Sequence, residues 1–193
     1  MKKILLTLIA LTTAVGLHAQ GRVAFANNPT SLLTFGPAGG PFANIAPATA
    51  FRIGLYVGPA GTAVGNLELV SSGLNGAVAG LFAVANPLVL PAATALAPGG
   101  YPAGVSIAFQ VRAWSAAAGA TYEQAIANGN TTQFAGTSTL GFVTPTAAPA
   151  AAGALFGTSP GQIGGFRLTP IPEPSTIALA LLGGVLLLFR RRK

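Results

Sequence analysis

The chain has 193 residues, 51% of them hydrophobic and only 7% charged, and carries a formal net charge of +7. Six of its ten cations lie in the two terminal segments, so residues 20–171 keep Arg22, Arg52, Arg112 and Arg167 against Glu68 and Glu123, too few and too scattered for a nucleic-acid face. Cysteine and aspartate are absent and the single histidine is His18, which excludes disulfides, thiolate chemistry, imidazole catalysis and carboxylate-rich calcium sites from that central region.

Residues 1–19 have the parts of a secretory signal peptide. Lys2 and Lys3 form the positive start, Ile4 to Leu17 is apolar apart from Thr7, Thr12 and Thr13, and Ala19 offers a small residue for cleavage. This predicts a helical leader handled by the Sec translocon and signal peptidase, with Gln20 as the mature start. A cut after Gly16, with Ala14 two residues before it, is the alternative. A retained N-terminal anchor is disfavoured because the apolar run is short and ends in Gly16, Leu17, His18 and Ala19.

The body, residues 20–171, is one domain in length. Its punctuation by Gly and Pro, 26 and 15 in the whole chain, separates short apolar runs and favours strands over helices. In Val105 to Trp114 the residues Val105, Ile107, Phe109 and Val111 point one way and Ser106, Ala108, Gln110 and Arg112 the other. Phe51 to Val57 repeats this, with Phe51, Ile53, Leu55 and Val57 on one face. Arg22 to Ala26 alternates through Val23 and Phe25, and weaker strands are expected at 31–35, 68–71, 80–84, 140–143 and 165–168. Tyr122 to Ala127 reads as a short helix, and the Pro- and Ala-rich segment 144–154 as a covering loop or linker. The expectation is an all-β body, a β-sandwich or jelly roll of about seven or eight short antiparallel strands.

Candidate sites in the body are thin. Arg52 with Tyr56, and Arg112 with Trp114, share the outer faces of the two clear strands, and an arginine beside a flat ring is one way to hold a sugar. The plainer account is that the stems and rings pack under a loop, or that Trp114 finishes a core strand. Glu68 and Glu123 are the only carboxylates available for glycosidase chemistry, and their contexts read as surface positions. Asn130-Thr131-Thr132 matches a glycosylation acceptor by a pattern short enough to arise by chance. No glycine-rich phosphate loop stands between a strand and a helix, so no cofactor is expected and the body does not read as an enzyme.

The last segment is the most specific. Pro172, Glu173 and Pro174 cannot lie inside a helix, and Ser175 stands where an N-cap belongs. Residues 176–189 follow as an apolar helix, then Arg190, Arg191, Arg192 and Lys193, a cluster that stays on the cytoplasmic side of a membrane and leaves the body outside. From Ser175 to Phe189, at ~1.5 Å per residue, the span is roughly 22 Å against a hydrocarbon core of about 30 Å, short for a lasting anchor. This order of parts, Pro172-Glu173-Pro174, Ser175, apolar helix and basic end, resembles the PEP-CTERM sorting signal of Gram-negative bacteria. A plain transmembrane anchor, or a helix buried in a soluble core, is the competing reading, and four consecutive cations argue against the second.

The resemblance implies cleavage near the tripeptide by an exosortase, a membrane-embedded cysteine protease acting as a transpeptidase. It also implies inner-membrane anchoring before processing and a cell-surface or extracellular destination afterwards. Two readings of the body follow: a structural or interaction protein of the surface or extracellular matrix, and a carbohydrate-binding module for the producer's exopolysaccharide.

Overall fold

The computed structural model describes residues 20–37, 39–46 and 50–172. The expected signal helix at 1–19 and the tail from Glu173 onward, with its apolar helix at 176–189 and basic end at 190–193, lie outside the described residues. Among the described residues no helix is long and apolar enough to cross a membrane.

Eleven strands and one α-helix make up the described body. They are β1 (Arg22–Ala26), β2 (Thr34–Phe35), β3 (Ala43–Asn44), β4 (Phe51–Pro59), β5 (Glu68–Leu74), β6 (Ala83–Val89) and β7 (Ile107–Ser115). After these come α1 (Tyr122–Asn128), β8 (Phe134–Thr137), β9 (Gly141–Val143), β10 (Gly153–Ala154) and β11 (Arg167–Pro170). A small sheet has the order β10-β1-β6. The large sheet runs β3-β2-β11-β8-β7-β4-β5, and β9 also pairs with β7. One edge of β7 lies against β4 over its whole length, while the other is shared by β8, at Arg112 to Trp114, and β9, at Ile107 to Phe109.

The alternation read from the sequence places the core. Phe51, Ile53, Leu55 and Val57 of β4 and Ile107, Phe109, Val111 and Ala113 of β7 are all buried in one cluster with Val23 and Phe25 of the small sheet. The inward faces of both sheets therefore share a single core. Edge-to-face rings tie it together: Phe82 meets Phe25 at 5.4 Å and Phe156 at 5.5 Å, and Phe35 meets Phe134 at 5.2 Å. Each fully buried large side chain of this kind is worth about 1.5–3 kcal/mol by transfer from water.

Three expectations are corrected. The strand count is eleven among the described residues rather than seven or eight: β3 and β10 are two residues long and too short to carry a period, and the four-residue β8 has no counterpart in the expected set. The pairing is mixed rather than purely antiparallel, since β1 with β10 and β11 with β2 run parallel across long connections. The strand expected at 31–35 shrinks to Thr34–Phe35, because Asn28 Oδ1 accepts from Thr30 N at 3.0 Å and from Ser31 Oγ at 2.8 Å and turns the chain there. Segment 144–154 covers the body rather than linking away from it: Thr146 bridges to Arg22, and β10 pairs with β1.

Candidate functional site

The C-terminal strand leads into the sorting tail without a spacer. β11 lies inside the large sheet, with β2 on one side and β8 on the other, and Leu168 is fully buried in the core. Thr169 and Pro170 stand opposite Ala135 and Phe134. One residue further, Ile171 N–H donates to the Gln133 carbonyl at 2.9 Å. The Ile171 side chain is 1% exposed and belongs to an apolar cluster with Trp114, Ala118, Ala125 and Ala135. Pro172, next after Ile171, is exposed, and Glu173, Pro174 and Ser175 of the predicted motif lie beyond the described residues, as do Arg190, Arg191, Arg192 and Lys193.

The four residues expected to present rings and guanidinium groups to a sugar are instead mostly interior. The outer face of β4 and β7 is covered by α1, which starts on a capping box: Thr121 accepts from Gln124 N, and Gln124 reaches back to Thr121 N. This start places Tyr122 and Glu123 over the sheet. The Arg112 guanidinium then lies 4.0 Å above the Tyr56 ring and 5.5 Å from that of Tyr122. Arg112 donates from Nε to Gln110 Oε1 at 2.9 Å, from Nη1 to Glu123 Oε1 at 2.7 Å and from Nη2 to the Val64 carbonyl at 2.9 Å. Tyr56 donates its hydroxyl proton to the other carboxylate oxygen, Glu123 Oε2, at 2.9 Å. Each guanidinium nitrogen thus has a partner inside the protein, and the side chain is only 11% exposed.

Trp114 is buried, its Nε1 donating to the Gly119 carbonyl at 2.9 Å and its ring meeting Tyr122 edge-on at 6.2 Å. Beneath it Gly54 leaves the room: a Cβ there would stand 3.1 Å from the indole. Tyr56 and Trp114 therefore have no free ring face for stacking on a sugar, and the pairing of Arg112 with Trp114 as an open contact is corrected. Arg52 is half-buried opposite Trp114 and reaches Ser72 Oγ only at 3.5 Å. The structure joins Tyr56 to Arg112 and leaves Arg52 apart. Sequence reading missed Gln110, Tyr122 and Glu123 as members of the cluster, although the Thr121-to-Gln124 spacing marks the helix start that brings the last two in.

Burial of the phenols dominates the local electrostatics. It pushes the Tyr56 hydroxyl far above the usual tyrosine range, with further upward contributions from its bond to the Glu123 carboxylate and that group's charge. Tyr122 is raised by burial, partly opposed by the Arg112 charge. The two glutamates serve different contacts: Glu68 Oε1 accepts from Leu96 N at 2.8 Å, whereas both oxygens of Glu123 are held by Arg112 and Tyr56. Among the described residues no three His, Cys, Asp or Glu side chains converge as a metal site would require.

One open groove carries different chemistry. A cavity of about 510 Å³ is lined by Ser106, Phe142, Thr144, Ser159 and Gln162 among others, and no charged side chain reaches it. Phe142 is 45% exposed there.

The last described strand of the β body thus runs directly into the Pro-rich, apolar and basic tail. Residues 170–193 match the sequence model of the PEP-CTERM protein-sorting motif. That motif implies export, a C-terminus held at the membrane before processing, and exosortase-dependent sorting. No curated protein and no solved structure matches the chain.

Proposed function

We propose that the protein is an exported structural or interaction component of the cell surface or extracellular matrix, delivered by exosortase processing of its tail. The observation that carries the reading is the sorting motif at 170–193 fused to a folded body. The body, two sheets around one core and in our reading a β-sandwich, is the cargo; residues 1–19 are its leader. Its polar side chains support a non-enzymatic role, because Arg112, the most sheltered charged group among the described residues, is paired with Glu123 of α1 and so holds that helix on the sheet. Mass spectrometry of the mature protein tests the delivery: the chain is expected to end within Pro172 to Ser175, and one still bearing Arg190–Lys193 would mean an ordinary anchor. Turnover of a polysaccharide or peptide by purified body, lost in Glu68→Ala or Glu123→Ala, would sink the non-enzymatic part.

A second reading keeps the carbohydrate-binding role and moves its site to the Phe142 groove. An exposed ring flanked by hydroxyl and amide groups without charge suits a neutral sugar chain. Titration of the body with neutral oligosaccharides, followed by NMR, should perturb Phe142 and Gln162, and Phe142→Ala should abolish the response. Perturbation centred on Arg52 would return the site to the sheet face.

A further inference from the structure

The sorting motif and the fold overlap. The match begins at residue 170, whereas the sheet runs through Pro170 and the buried Ile171 follows it, bonded to Gln133, so Pro170 and Ile171 belong to both motif and folded body. A protease commonly holds its substrate extended, adding the peptide as a strand through main-chain hydrogen bonds. Strands already flank β11 on both sides. β2 takes one side, with Gly36 N donating to the Leu168 carbonyl at 3.2 Å, and β8 takes the other. The Ile171 N–H is already bound to Gln133, and its side chain is locked beneath α1. Opening this end would expose Ile171 and break pairing in the middle of the sheet, unlike the fraying of a free terminus.

We infer that the processing enzyme works on the folded body and reads the tail from Pro172 outward, with Ile171 as the residue that closes the upstream side. The inference rests on the sorting reading and adds where recognition stops. The first bond open to attack is then Pro172–Glu173. Cleavage there breaks the C–N bond, the Glu173 amine leaves with a proton, and the Pro172 acyl group passes to water or an amine acceptor. Only Pro172, Glu173 and Pro174 separate Ile171 from Ser175, four steps of at most ~3.6 Å each, so the end of the body bearing Ile171 lies within about 14 Å of the membrane helix expected to begin there. The enzyme must therefore accommodate that end of the body, including Gln133 and Phe134, beside its active site.

The test uses the full chain in two arms. Purified protein in detergent is digested with proteinase K; cuts should fall at Pro172 or beyond, and a cut within Arg167–Ile171 while β4 and β7 stay protected would overturn this inference alone. In the producing cell the mature chain should end at Pro172 or later, and an end at Ile171 or earlier overturns it as well. A mature chain retaining Arg190–Lys193 overturns the sorting reading together with the enzyme's part in this one. A short Gly-Ser spacer inserted between Ile171 and Pro172 supplies a variant that leaves the sheet intact. The cut should move outward with Pro172–Pro174, whereas cutting inside the spacer at the old distance from Ile171 would show that the body, not the tail, sets the position. Ile171→Gly should open the upstream side and shift at least part of the proteinase K cuts to before residue 171.

Discussion

The two faces of the paired strands β4 and β7 are built from the same alternating sequence and hold by different physics. The inner face is continuous hydrocarbon: Ile53, Leu55, Phe109 and Val111 are fully buried and need only volume and shape. The outer face is largely covered too, yet it is closed by α1 over Tyr56, Gln110, Arg112 and Trp114, a polar and aromatic set in which each donor needs a partner. A period of two thus tells which residues share a face. It does not tell whether the second face meets water.

Breaking the inner face should have the largest effect. Phe109→Ala is expected to lower stability by about 3–5 kcal/mol, read as the shift in denaturant midpoint, because a large side chain leaves a void in a rigid core. On the outer face Arg112→Met should cost less, about 1–2 kcal/mol. Its side chain is 11% exposed but that of Glu123 is 57% exposed, so the abandoned carboxylate turns to water and the charge term is largely screened. A loss from Arg112→Met equal to that of Phe109→Ala would erase the contrast between the faces.

This contrast also marks what the sequence could disclose. The strands β1, β4 and β7 and the helix at Tyr122 were legible because each spans enough residues to express a period or a capping signal. Two-residue strands such as β3 and β10 have none and exist through their partners. The sheet neighbours of β11 were illegible for a related reason: parallel pairing with β2 joins residues more than a hundred positions apart. At the tail the motif was readable from Pro172 to Lys193, since the order of its parts along the chain carries it without any tertiary contact. The enclosed cluster was not, because Arg112 and Trp114 look the same in sequence whether a helix covers them or solvent does.

Smaller perturbations sharpen the comparison. Gly54→Ala pushes a methyl to 3.1 Å from the buried Trp114 ring and should cost about 1–2 kcal/mol in thermal unfolding, although alanine normally strengthens a strand relative to glycine. Thr121→Ala removes the cap of α1 and should cost about 1 kcal/mol, with Tyr122 fluorescence reporting looser packing. The smallest effect is alkaline. The Tyr56 hydroxyl is raised above its unfolded value of 10.0, so the folded state keeps its proton after the unfolded state has lost it. Its contribution is full below pH 10 and declines as pH climbs from there toward the folded value. Tyr56→Phe should flatten that decline, and an unchanged alkaline slope would assign it to other groups.

The enclosure of Arg112 has a consequence for how this body meets other molecules. With that cation paired to Glu123, the charged groups left on the described surface are Arg22, Arg52 and Arg167 and the partly sheltered Glu68. Such a surface generates little field beyond a few ångströms, so neither steering nor repulsion acts at a distance. Encounters with neighbours are then decided by shape and short-range contact, and their rates should hardly change between dilute and concentrated salt.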